Sequence, residues 1–181
     1  MTPQDLSQAT GARIDRAREN LHHIEAAMQD FEINTPERQA AFFAQIGHES
    51  GGLHWLVELW GPTDVQLRYE GRSNLGNTQP GDGYRYRGRG WIQVTGRDNY
   101  RRAYQRLQDK YPDCPDFEAE PEKVATARWA AITAAEYWYN AGCNVLADRG
   151  DFEKVTRAIN GGLNGYADRL ARWEDAKEVL A

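Results

Sequence analysis

Cysteine is scarce in this chain. Cys114 and Cys143 are the only two in 181 residues. They lie far apart and lack the paired spacing of a metal site, so neither a disulfide framework nor a zinc module is expected, and the sequence implies no metal or cofactor. Long apolar runs are missing as well. No stretch approaches the roughly 18 residues a spanning helix needs, so stable membrane insertion is not expected. The opening MTPQDLSQATGARIDRAREN has no apolar core of the kind a secretory leader carries, which points to synthesis in a cytosol. Repeats and low-complexity linkers are absent, and the reading is one domain over 1–181 with no separate wall-binding module. Phenylalanine is outnumbered: five, against six Trp and nine Tyr. Amphipathic aromatics of that kind suit a groove that stacks sugars or bases, although most are expected in the core.

Positive charge is also in deficit, with a net charge of −5. That argues against a general nucleic-acid binder. The deficit is uneven, however. Residues 85–106 hold Arg85, Arg87, Arg89, Arg97, Arg101, Arg102 and Arg106 against Asp98 alone, and an acidic stretch follows at 109–122. The expectation is one basic face directed at an anionic polymer on an otherwise acidic molecule.

The pattern that is present is mainly helical. Apolar spacing predicts a helix over 5–30 and another from Thr35-Pro36 to about Ser50, stopped by Gly51-Gly52. Further helices are expected at 63–70, 98–110, from Pro121 to near Gly142, from Asp151 to Asn160, and over 165–180. Between the helical halves, GNTQPGDG reads as turn and RGWIQVT as strand, which predicts a small β-hairpin. Strand alternation there would put Ile92 and Val94 on one face, Gln93 and Thr95 on the other. The fold class is therefore mainly α, with one small β element (α+β).

The stretch FFAQIGHESGGLHWLVELW carries the chemistry. Residues 40–46 are apolar almost all round, interrupted by Gln45, and Glu49 follows in the last helical turn. Burial and the negative helix end would both favour a protonated carboxyl there, as a general acid requires; a buried ion pair with an arginine is the alternative. Glu58, nine residues on, would face the opposite way on a continuous helix, but the glycines allow the chain to turn back. Two carboxyls in unlike settings, flanking a cleft, are the equipment of glycoside hydrolysis.

Three separated motifs, HESGG, GRSNLGNTQPGDGYRYRGRGWIQVTGRDNY and AINGG, resemble glycoside hydrolase family 19, which holds chitinases and phage endolysins. The resemblance covers about residues 36–172. It implies a lysozyme-like fold and hydrolysis with inversion. It makes Glu49 the general acid and Glu58 the base, with Glu70 as the competing base. Thr95 would help hold the attacking water, and Gln93, Asn99, Tyr100 and Asn160 would bind sugar. Arg169 would support the base, with Arg172 as competitor. The short segment between the glutamates, the lack of family cysteines and the ELWGPTDVQLRYEGR block are similar to phage endolysins. That implies an N-acetylmuramidase acting on bacterial peptidoglycan as a monomer, made in the host cytoplasm and reaching the wall through a holin-type lesion. A chitinase is the alternative. A nucleic-acid module built on YRYRGRGW and a wall-binding protein without activity are the readings from other classes.

Overall fold

A computed structural model describes residues 1–181. The chain is mainly α. Ten helices follow one another: α1 (Pro3–Thr10), α2 (Ile14–Asp30), α3 (Pro36–Ser50), α4 (Asp64–Leu67), α5 (Asp82–Arg85), α6 (Arg97–Leu107), α7 (Ala127–Asn140), α8 (Cys143–Asp148), α9 (Phe152–Asn160) and α10 (Tyr166–Leu180). Short 3-10 turns occupy Ser73–Leu75 and Pro121–Ala125. The chain divides into two compact units, one made of Met1–Trp55 with Ala134–Ala181, the other of Leu56–Thr133.

In the first unit α3 is the central helix. Thr35 caps it through its hydroxyl, which accepts from the Arg38 amide, Pro36 opens it, and Gly51 at φ 60° closes it. Ala40 to Gly47 are all buried, and Phe42, Phe43 and Ile46 each contribute about 1.5–3 kcal/mol of apolar burial. Helices α10 and α1 pack on α3, and α8 and α9 cover it further. Trp138 of α7 meets Phe42 edge-on at 5.5 Å. The expected single helix over 5–30 is broken. Gly11 adopts φ 70° and ends α1, and the guanidinium of Arg172 occupies the space a Cβ would need there. The break leaves the Thr10 carbonyl free to accept from Arg172 Nη1 at 2.7 Å.

The second unit holds the clearest departures from expectation. The β-hairpin is not formed. Only two isolated antiparallel bridges occur, Val57 with Arg89 and Arg89 with Val94. Residues 90–93 are a tight turn instead, closed by Arg89 N–H to Val94 O at 3.1 Å and Val94 N–H to Arg89 O at 2.8 Å. Gly90 at φ 78° and Gln93 at φ 53° set its course, so the two-face alternation of Ile92 and Val94 against Gln93 and Thr95 does not apply. Trp91 is wholly buried. A run of β-formers became a turn because left-handed residues at both ends leave no length for a strand.

The basic face is also largely dissolved. Arg97 pairs with Asp82 at 2.5 Å and with Glu118 at 3.1 Å. Arg101 pairs with Asp98 and Glu118. Arg85 donates to the carbonyls of Glu118 and Ala119. Arg89 is buried and donates to the carbonyl of Arg85 and to the Tyr100 hydroxyl. Four of the seven arginines are thus tied into the fold, three of them through Glu118 or Ala119 in the acidic stretch that follows.

This network sets an acid limit. Burial would raise the Asp82 carboxyl, but hydrogen bonds from Arg97 and from backbone amides hold it below its usual 3.8. Glu118 is held below 4.5, chiefly by the hydrogen bond from Arg101. A depressed folded value means stabilisation present above the unfolded value and lost as pH falls through the folded one. Thermal stability is therefore expected to be flat from pH 7 to about 5 and to fall steeply below about 4. Arg97→Met should cost on the order of 3 kcal/mol at neutral pH, since it strands a buried carboxylate. It should also flatten the acid limb. Melting curves across pH check both; an unchanged acid limb would remove this pair from the account.

Candidate active site

In the first unit Glu49 stands in the last turn of α3, half-buried, and not enclosed by the core as Ala40–Gly47 are. Arg169 of α10, only 1% exposed, donates from Nη2 to Glu49 Oε1 at 2.5 Å. Its Nη1 donates to Gln45 Oε1 at 2.5 Å and its Nε to the carbonyl of Asn164 at 3.0 Å. Gln45 in turn donates to the Thr156 hydroxyl at 2.9 Å. The one polar residue in the apolar run of α3 is thus the seat of the arginine that holds the acid candidate. Glu49 Oε2 makes no hydrogen bond within the protein. Arg169 is expected beside the base; it is bound to Glu49 instead, because α10 packs directly on α3, and Glu49 is thus in the arginine ion pair given above as the alternative to a buried, protonated acid.

Arg172 lies one turn further on α10 and serves a different cluster. It donates to Asp168 Oδ2 at 2.7 Å, and His48 Nδ1 meets the same oxygen at 2.7 Å. Burial would raise the Asp168 carboxyl, yet the hydrogen bonds from Arg172 and His48 hold it below its usual value. Sequence reasoning did not single out His48 or Asp168, although His48 sits beside Glu49 in the motif. The His48 ring depends on Gly165. That residue has φ +69°, and a Cβ there would come within 2.2 Å of the imidazole. Gly165→Ala is expected to destabilise the fold by about 2 kcal/mol or more, combining left-handed strain with displacement of the ring. Chemical denaturation measures it; a cost under about 0.5 kcal/mol would contradict the packing. Asn160 ends α9, and its side-chain oxygen is buried without a hydrogen-bond partner. A buried acceptor left open is costly unless a ligand fills it.

In the second unit three donors hold Glu58. Gln66 Nε2 at 3.0 Å and the Tyr69 hydroxyl at 3.3 Å reach Oε1, and the Gly88 amide at 3.0 Å reaches Oε2. The Glu58 amide donates back to the Gly88 carbonyl at 2.8 Å. Gln66 is buried, and its carbonyl oxygen accepts from the amides of Gly61 and Thr63, which fixes its amide group toward Glu58. Gln66 and Tyr69 were not anticipated; their spacing from Glu58 is set by the loop leading into α4, which has no periodic signature. Burial, then the charge of Glu58, raises the Tyr69 phenol above its usual value.

Gln93, Thr95 and Asn99 form one chain of bonds. The Gln93 amide donates to the Gly90 carbonyl at 2.8 Å. The Thr95 hydroxyl donates to the Gln93 carbonyl at 2.9 Å, and Asn99 Nδ2 to the Thr95 carbonyl at 2.7 Å. With its proton committed, the Thr95 oxygen has lone pairs left to accept from a water. Gly88 links this chain to Glu58, since a Cβ there would lie 2.5 Å from Gln93 Oε1. Tyr100 is wholly buried. Its hydroxyl donates to the Arg87 carbonyl at 2.6 Å and accepts from Arg89, and burial lifts the phenol to about 12. The structure uses it to pin the backbone. Glu70 accepts from the amides of Gly81 at 2.6 Å and Gly83 at 2.8 Å, one per oxygen, and so ties down the loop before α5.

No family model matches the chain. Individual proteins do. The chain is 36% identical over 160 residues to a glycosyl hydrolase family 19 domain-containing protein of Haemophilus influenzae, covering 73% of this chain and 74% of that one. It is 33% identical over 123 residues to an endochitinase of Arabidopsis thaliana, of whose length it spans 39%. A solved bacterial family 19 chitinase superposes with a TM-score of 0.76 over 99% of this chain and 94% of the other, at 22% identity, a likeness of fold. With the mainly helical fold and a 36% identical relative covered over three-quarters of its length, the chain belongs to glycosyl hydrolase family 19.

Proposed function

We propose that this protein hydrolyses the β-1,4-linked N-acetylated glycan of bacterial peptidoglycan by an inverting acid/base mechanism. The observation that carries the acid/base part of the reading is the contrast between the two carboxyls; the choice of peptidoglycan rests on the similarity of the ELWGPTDVQLRYEGR block to phage endolysins. Glu49 has one oxygen on Arg169 and the other unbonded. Glu58 is held as an acceptor by three donors. In this reading Glu49 gives its proton to the leaving glycosidic oxygen, and Arg169 receives the carboxylate that results. Glu58 takes a proton from water as that water attacks the anomeric carbon, and Thr95 accepts the water's other hydrogen. Gln93, Asn99 and the open acceptor of Asn160 bind the sugar. No covalent glycosyl-enzyme is formed. The biological setting is lysis of a host bacterium, with a monomeric enzyme passing from the cytoplasm to the wall through a holin-type lesion.

A chitinase is the second reading, favoured by the endochitinase of Arabidopsis thaliana among its relatives. Digestion of purified sacculi and of chitin oligosaccharides, followed by mass spectrometry, separates the two. New reducing ends on muramic acid mean a muramidase, and ends on glucosamine a glucosaminidase. Cleavage of chitin alone means a chitinase, and cleavage of neither overturns both. Stereochemistry is an independent check. The first product of a β-linked glycan should be the α anomer by proton NMR, whereas an initial β anomer would mean retention and remove the water-activating role of Glu58.

A further inference from the structure

Beside Glu58 the second unit carries an aromatic shelf that this chemistry does not use. Trp60 follows Glu58 by two residues, and its ring lies 6.3 Å from Tyr69, the phenol bonded to Glu58. Tyr84 meets Trp60 at 5.3 Å and 75°, and is 52% exposed. The guanidinium of Arg87 sits 4.0 Å from the centre of the Tyr84 ring, with Nη1 on the Tyr84 carbonyl at 2.9 Å. Arg87 directly precedes Gly88, whose amide holds Glu58.

The neighbouring arginines differ from Arg87. Arg97 and Arg101 are matched by carboxylates. Arg85 donates to the distant Ala119 carbonyl and to the adjacent Tyr86 hydroxyl, and Arg89, which is buried, to the Arg85 carbonyl and the Tyr100 hydroxyl. Arg87 holds only its near neighbour Tyr84, and no carboxylate pairs with it. Its backbone is nevertheless fixed, since its carbonyl accepts from Tyr100 and Arg89. A guanidinium laid on an aromatic face keeps its charge and can offer an edge to a carboxylate in bidentate fashion.

We propose that Trp60, Tyr84 and Arg87 form a sugar subsite selecting glycans that bear carboxylates: the rings take the sugar face and Arg87 takes the carboxylate. This rests on Glu58 being part of the active site. The test uses full-length protein carrying Glu49→Gln, so that binding is read without turnover. It is titrated with soluble peptidoglycan glycan strands bearing free carboxylates, and with the same strands methyl-esterified. Esterification should weaken binding about fivefold, the order of a partly exposed ion pair. Adding Arg87→Gln should abolish that difference, Arg87→Lys should keep part of it, and Trp60→Ala should weaken both strands alike. Equal binding of the two strands by the Glu49→Gln protein, or binding of neither, overturns the proposal, even were Arg87→Gln to misfold. So does an ester effect that survives Arg87→Gln. Failure of the parent reading shows elsewhere: Glu58→Gln in the otherwise native chain would then retain turnover, whatever the strand preference.

Discussion

Glu49→Gln is expected to lower kcat by roughly 10²–10⁴-fold on any glycan the protein cuts, with little change in KM. The amide keeps the shape of the carboxyl and its oxygen can still accept from Arg169 Nη2, so the Gln45–Arg169 bridge under α3 and α10 should survive. What is lost is the proton for the leaving oxygen. The effect must therefore appear in kcat with a smaller loss of melting temperature, since the amide keeps the hydrogen bond from Arg169 but gives up the charge that faces this buried guanidinium. Arg169→Leu should behave differently. It strands Gln45 and Glu49 together and breaks the hold on the Asn164 carbonyl, so stability and rate should fall together. Circular dichroism and steady-state kinetics on both variants make the comparison. Near-normal turnover by the folded Glu49→Gln protein would remove Glu49 as the acid.

Much of the helical frame was legible because its signals are local. Thr35-Pro36 before an apolar run and Gly51 after it bound α3 where expected, and Asp151 caps α9 as its sequence implies. Two of the misses share a cause, contacts distant in sequence, and the others are local. Nothing within 5–30 says that the Arg172 guanidinium, from the far end of the chain, packs against Gly11. The helix expected from Pro121 begins instead as a 3-10 turn through Ala125, with α7 following, and α8 was unmarked because Gly142 caps it without a side chain. The arginine run looked like a face because composition counts charge, whereas Asp82 and Glu118 had already claimed Arg97 and Arg101. At the site, single residues such as Glu49 and Glu58 stand out by type and neighbours. Their partners Arg169, Gln66, Tyr69 and Gly88 do not, since spacing alone cannot say which donor reaches which oxygen.

Glu58→Gln should be as damaging as Glu49→Gln, again by roughly 10²–10⁴-fold in kcat, because an amide cannot draw a proton from water. Glu70→Gln should leave kcat nearly intact and act on stability. Each Glu70 oxygen receives one backbone amide, so the new NH₂ faces a donor at Gly81 or Gly83 and costs about 1–3 kcal/mol. Kinetics and melting together separate a base from a loop tie. A spectroscopic readout adds to them. The Tyr69 phenol is raised first by burial and then by the charge of Glu58. Removing that charge should move one tyrosine in the alkaline titration toward lower pH, a shift seen as a difference spectrum against the native protein. Glu70→Gln should give no such difference, for its carboxyl bonds to amides and not to Tyr69. A larger loss of kcat in Glu70→Gln than in Glu58→Gln would transfer the base to Glu70. Loss in neither would mean that the water is activated by another group, and would take the inverting reading with it.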